Sequence, residues 1–296
     1  MRSCNVAFCM VVLLVFLAAG CAQAGQEEQG TGGGEDSSNG QTGLEQTSEG
    51  GAENTEAPFT AAPEMSGGSN GTADSIREVM FEQREGYERA VIVFGSGGGL
   101  ASEVPSWSLS SPEGEGYARI TFPGVEATLD SEGGLGGFIF DKFYAVRAPG
   151  GGLFMDLYAT GAFQYRVTEL SDPGRLVVDF RPANVDLSYP IPVQAQRTVI
   201  FEPRAREAIT SPLEVSGYSR NPEASNTIVL VDTDDSVLAR SIVLSNDWLD
   251  AWGYFDTTLE FPAFEGTAIL RVGSESARDG SFEGAEVPVT YGGDGG

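Results

Sequence analysis

The chain has 296 residues, with 43 Asp or Glu against 17 Lys or Arg and a formal net charge of −26. That charge excludes a nucleic-acid binder that works by neutralising phosphates, and it excludes attraction to an anionic membrane surface without a lipid. There is no histidine and one lysine, Lys142, so Ser-His-Asp catalysis, Cys-His catalysis and imidazole metal sites are excluded too.

At the amino end, Arg2 is the only charge ahead of an uncharged run over residues 6–20. A positive start, a short apolar segment and small residues at its end predict a secretory signal peptide over 1–20. A membrane-crossing helix needs about 20 apolar residues, more than this run supplies. Ala22-Gln23-Ala24 offers an ordinary cleavage site as the alternative.

Leu17-Ala18-Ala19-Gly20-Cys21 resembles the lipobox of bacterial lipoproteins, with Ala18 where that family usually has leucine. The resemblance implies cleavage before Cys21 and a diacylglyceryl group on its sulfur. The protein would then be anchored to the outer face of the cytoplasmic membrane. Two acyl chains hold a protein stably where one does not. Cys4 and Cys9 leave with the signal, so the exported chain has no disulfide and must be held together by core burial.

Residues 22–73 contain no Lys or Arg, nine Asp or Glu, twelve Gly and one aromatic, Phe59. Such a composition buries too little apolar surface to offset the entropy of ordering. With Cys21 it is read as a disordered linker over 21–73, with an r.m.s. span of roughly 40 Å. Within it, Gly67-Gly68-Ser69-Asn70-Gly71 matches G-x-S-x-G, but it has neither the strand-to-helix elbow nor the histidine that this motif serves.

After Ala73 the texture changes. Short runs rich in β-branched and aromatic residues predict strands at 76–83, 87–94, 117–122, 137–146, 153–159, 163–170 and 175–180. Pro173-Gly174 marks a turn between the last two. Seven further strands are predicted at 198–201, 213–218, 227–231, 237–244, 254–261, 267–272 and 286–291, a spacing that suits a sandwich. Residues 182–196, with three prolines, read as the connector between two units of ordinary domain size.

Ile209-Thr210-Ser211-Pro212-Leu213-Glu214-Val215-Ser216-Gly217 resembles the opening of the Gmad2 family. Trp252-Gly253-Tyr254-Phe255, Leu259-Glu260-Phe261-Pro262 and Glu286-Val287-Pro288-Val289 follow in the family's order. This implies an immunoglobulin-like domain over 197–292. Pro173-Gly174-Arg175-Leu176-Val177-Val178-Asp179-Phe180 is similar to the closing motif of AMIN-like domains, which implies such a domain over 74–183 and engagement of peptidoglycan or another envelope component. Neither family carries catalytic residues to transfer.

Few residues offer themselves as sites. Trp107, in a loop-like Pro105-Ser106 context, is a candidate for stacking on sugar; a place in the core is its bland reading. Arg175 and Asp179 lie four apart on one strand face, so they pair with each other or meet a wall ligand. Asp232, Asp234 and Asp235 supply oxygens for calcium, though a hairpin turn explains them as well. Gly95-Ser96-Gly97-Gly98-Gly99 lacks the Lys-Ser/Thr of a phosphate loop and reads as a hairpin connection.

The expectation is an all-β protein: a disordered tether, an AMIN-like β-rich domain and an immunoglobulin-like β-sandwich. It needs no cofactor and binds no nucleic acid. Its work is non-catalytic binding of wall polymer or an envelope protein. The alternative is an assembly module that adds a partner's strand to a sheet edge. A hydrolase built on carboxylates ranks third.

Overall fold

A computed structural model describes residues 57–111, 115–134, 136–276 and 278–293. The signal segment, Cys21 and the linker as far as residue 56 lie outside the described residues. Among those described there is no α-helix, and they form one compact unit.

The principal strands are β1 (Glu64–Gly67), β2 (Ser75–Arg84), β3 (Tyr87–Ser96), β4 (Trp107–Ser110), β5 (Tyr117–Phe122), β6 (Phe140–Arg147), β7 (Leu153–Ala159), β8 (Phe163–Leu170) and β9 (Arg175–Pro182). They continue as β10 (Val193–Ala195), β11 (Thr198–Glu202), β12 (Leu213–Ser219), β13 (Ser225–Asp232), β14 (Val237–Leu244), β15 (Trp252–Leu259), β16 (Thr267–Glu275) and β17 (Phe282–Tyr291). A long ten-stranded sheet runs in the order β1-β4-β5-β7-β6-β15-β12-β11-β10, with Glu132–Gly134 beside β6. A second sheet, ordered β8-β9-β3-β2, packs on the first half of the long sheet. A third, ordered β17-β16-β13-β14, packs on its other half.

Alternation fixes which side chains face each core. On β5, Ala118, Ile120 and Phe122 point into the first sandwich, and Tyr117 and Arg119 point away. In the second sandwich Val215, Phe255, Leu230, Leu270 and Val287 play the inward part. β7 is buried at all seven positions. Its odd-numbered residues fill the first core, while Phe154 and Tyr158 fill a third cluster on the opposite face of the sheet.

That third cluster joins the two halves. β6 and β15 pair in parallel at Trp252↔Val146 and Gly253↔Arg147, and the long sheet then curls. Tyr117 on β5 and Phe201 on β11 are five strand spacings apart, about 24 Å in a flat sheet. Their ring centroids lie 5.7 Å apart. Tyr218 likewise donates to the Tyr158 hydroxyl at 2.9 Å across three spacings. The outer face of the sheet is therefore concave and closes on a cluster that includes Tyr144, Tyr158, Tyr218 and Trp252. The proline-bearing segment 182–196 packs there too, through Ile191.

Two expectations change. The linker is shorter than composition suggested, because 57–73 is structured. β1 pairs with β4 along its length, from Glu64↔Ser110 to Gly67↔Trp107. Phe59 lies under the guanidinium groups of Arg166 and Arg181 at 4.7 and 4.6 Å. One aromatic with two cationic partners orders a stretch that an average over 52 residues reads as featureless. Second, Trp107 does not sit in a loop: it opens β4. The Gly67-Gly68 pair makes this possible. A Cβ on Gly67 would come within 2.3 Å of Glu169 Oε1 and 2.9 Å of the Trp107 ring.

Candidate functional site

The concave face supplies a charged groove of about 200 Å³, lined by β5, β11, β12, β15 and the 190–192 segment. Tyr117, Phe201 and Tyr254 give it aromatic walls, and Pro190 and Pro192 form a rim. A shallower continuation of about 510 Å³ shares Ser216 and Tyr254 and adds Glu214 and Asp256. All these strand residues except Glu202 belong to the face opposite the sandwich cores, so alternation alone sets them here.

The floor of the groove is an ion pair. Arg119 and Asp156 are cross-strand partners on β5 and β7. The guanidinium donates to both carboxylate oxygens, Nε to Oδ1 at 2.7 Å and Nη2 to Oδ2 at 2.8 Å. It also stacks over Phe154 at 4.0 Å and faces Phe201 at 5.0 Å. Asp156 has no solvent exposure. Burial pushes its carboxyl up, and Arg119 pulls against that shift. At the mouth, Arg204 donates to Glu115 at 2.5 Å under the Tyr189 ring, 4.3 Å away. The carboxyl of Glu202 is raised by burial first and then by the charge of Glu207. Both arginines of the groove thus have carboxylate partners, whereas Glu202, Glu214 and Asp256 show no arginine partner in the described ion pairs. Such a groove suits hydroxyl- or amine-bearing ligands with a flat apolar face.

None of the described residues that the sequence offers as candidate sites lies here. Trp107 is 5% exposed, packs in the first core and donates its Nε1 to Glu169 at 2.8 Å. It offers no face to a sugar. Asp179 is 2% exposed and pairs not with Arg175 but with two arginines on neighbouring strands. Arg89 donates at 2.7 and 2.9 Å and Arg166 at 2.7 Å. The reason is strand rise: four residues span about 13 Å, beyond a direct pair, whereas cross-strand neighbours are adjacent. Arg175 donates to the Pro173 carbonyl at 3.3 Å.

Asp232, Asp234 and Asp235 shape the β13–β14 hairpin. Asp232 Oδ1 accepts from the amides of Asp234 and Ser236 at 2.9 and 2.8 Å, and Asp235 meets Arg271 at 3.0 Å. No cluster of three or more metal-ligating side chains occurs among the described residues. Lys142 is exposed on β6. Cys21 lies outside the described residues. The groove itself carried one legible signal, the two-sided burial implied by the apolar run of β7.

The fold and groove together define a class, a pair of β-sandwiches built on one shared sheet with a recessed, aromatic-walled face. Residues 198–281 match Gmad2, the immunoglobulin-like domain of bacterial spore germination, so this part of the chain is an immunoglobulin-like domain. The match ends one residue before β17, yet β17 pairs with β16 from Thr267↔Thr290 to Glu275↔Phe282. The physical sandwich therefore includes that last strand. No curated protein and no solved structure matches the chain.

Proposed function

We propose that the chain is a non-catalytic binding module of the bacterial cell envelope. Lipid on Cys21 holds it at the outer face of the cytoplasmic membrane, and it receives a peptidoglycan-type glycan or an exposed loop of an envelope protein in the concave groove. The observation that carries this reading is the groove itself. Tyr117, Phe201 and Tyr254 give it flat apolar walls, and Glu202, Glu214 and Asp256 give it hydrogen-bond acceptors. The immunoglobulin-like half is consistent with a binding or adhesion role. The AMIN-like reading of 74–183 rests on the Pro173–Phe180 motif and points to the same wall polymers. A net charge of −26 favours neutral or amine-bearing polymers over anionic ones such as teichoic acids.

Co-sedimentation of the full chain with purified peptidoglycan tests the reading. The chain is expected in the pellet, and Tyr254→Ala is expected to release most of it, since a stacking aromatic at the centre of a site contributes about 2 kcal/mol or more. A chain that stays in the supernatant at both low and moderate salt overturns wall binding. Lipidation is checked separately by the mass of the mature product, which Cys21→Ala should leave unprocessed.

A further inference from the structure

Most edges of the three sheets are short or covered. β1 has four residues, β10 three, and the edge pieces Ala127–Thr128 and Ala208–Ile209 two each. The open side of β8 is bridged by Thr60, whose amide donates to Tyr165 O at 2.8 Å and whose carbonyl accepts from Tyr165 N at 2.9 Å. β14 differs. It is eight residues long, borders the third sheet and pairs only with β13.

Its exposed side is largely apolar, interrupted by one charge, Arg240, which pairs with Glu275 at 2.9 Å. Nine large apolar side chains are exposed among the described residues, and four of them, Val237, Ile242, Leu244 and Leu249, lie on or just beyond this strand at 62–66% exposure. Long apolar edges are what folded proteins normally blunt, because their unpaired amides and carbonyls template another strand.

Register shows which groups are free. Ser225 opposes Leu244, and Ser245 N donates to Ala224 O at 2.9 Å. The alternation of an antiparallel ladder then turns Ser241 and Val243 toward β13. The backbone groups of Arg240, Ile242 and Leu244 turn outward.

We infer that β14 is a docking edge that adds one antiparallel strand from a partner protein, an alternating apolar segment with Lys or Arg at both ends. The flanks follow from charge. Asp234 and Asp235 stand exposed at the start of β14, and Asp250 is exposed beyond its end. A second copy of this chain is a poor occupant. Antiparallel self-pairing would set the 232–235 turn of one copy against the 247–250 segment of the other, acid against acid, on chains of charge −26. This surface lies away from the concave groove and does not depend on what the groove binds.

The test uses the full chain and a synthetic peptide of alternating Val and Thr with two Lys at each end. Binding should protect the amides of Arg240, Ile242 and Leu244 from hydrogen exchange and leave those of Ser241 and Val243 as they were. Ile242→Lys, a change at an exposed side chain, should weaken the peptide about tenfold or more, because lysine on an edge blocks strand addition. Its unchanged melting temperature would exclude unfolding. Three outcomes overturn the inference. The amides of β14 stay unprotected at saturating peptide, a Glu-flanked or N-methylated peptide binds equally well, or the free chain dimerises through β14.

Discussion

The two halves of the molecule bury polarity in different ways. The first half buries charges: Glu88, Asp156, Arg166 and Asp179. Among the described residues, the immunoglobulin-like half buries only neutral polar groups: Thr198, Ser219, Asn221, Asn226 and Ser245. In that half Asn221 Nδ2 donates to Asn226 Oδ1 at 2.8 Å and to Thr198 Oγ1 at 3.1 Å, closing a compact amide–hydroxyl network. In the first half a single carboxylate serves several donors. Glu88 accepts from the amides of Phe138, Ile139 and Phe140, and Asp179 accepts from two arginines. A buried ion pair stabilises little as a whole, but removing one member leaves the other stranded. The first half should therefore be the more brittle to single substitutions.

The sharpest way to break that comparison is at the seam that both halves share. Trp252 is 1% exposed, with its ring centroid 4.6 Å from Tyr144 and 5.7 Å from Tyr218. Trp252→Ala is expected to cost about 3–5 kcal/mol and to split a single urea transition into two. One transition with an unchanged midpoint would show that the third cluster does not couple the halves.

Next in size is the contrast between charged and neutral networks. Asp179→Ala leaves Arg89 and Arg166 without their common partner and should cost about 3 kcal/mol. Asn226→Ala removes only neutral bonds, from Asn221 and to the Ala224 and Val243 carbonyls, and should cost about 1–2 kcal/mol. Equal losses in urea unfolding would erase the distinction between the halves.

These same residues show what the sequence carries. The β-rich character was legible, and so were the strand bounds at 153–159, 163–170 and 237–244, because alternation and β-branched runs are local. The immunoglobulin-like domain, expected over 197–292, was legible from its ordered motifs, and the family match over 198–281 falls inside it. The seam was not. Val146 and Trp252 pair across more than a hundred residues of chain, and no local period announces a parallel contact two residues long. Asp179 was noticed for the wrong partner, since spacing along a strand says which face a side chain takes but not which neighbouring strand supplies its donor. The groove failed for the same reason. Arg119 and Phe201 meet only after the sheet has curled.

Alkaline pH sharpens the role of the seam further. Burial first, and the charge of Asp156 next, push Tyr117 up to about 12; burial and then Glu132 push Tyr144 to about 12. Burial holds Tyr158 and Tyr218 well above the ordinary value of 10. An unfolded tyrosine loses its proton near pH 10. Between pH 10 and 12 the native state therefore binds more protons than the unfolded one, and stability falls as pH rises. Tyrosinate absorbance should appear cooperatively with loss of the fold in that window. A gradual rise with the fold intact would place these hydroxyls in contact with solvent.

The smallest effect concerns Arg175, the residue whose motif first suggested a wall ligand. Its half-buried side chain makes one long bond to a backbone carbonyl and leaves the Asp179 network untouched. Arg175→Ala should change stability by no more than about 0.5 kcal/mol. If Arg175 contacts a ligand, the same variant should still lower peptidoglycan co-sedimentation, although the residue lies outside the groove. If Arg175 serves only to end the Pro173-Gly174 turn, co-sedimentation is unchanged and the comparison with Tyr254→Ala assigns binding to the concave face. A loss above 2 kcal/mol would instead place Arg175 inside the charged network of the first half, and the account of how Asp179 is satisfied would have to be redrawn.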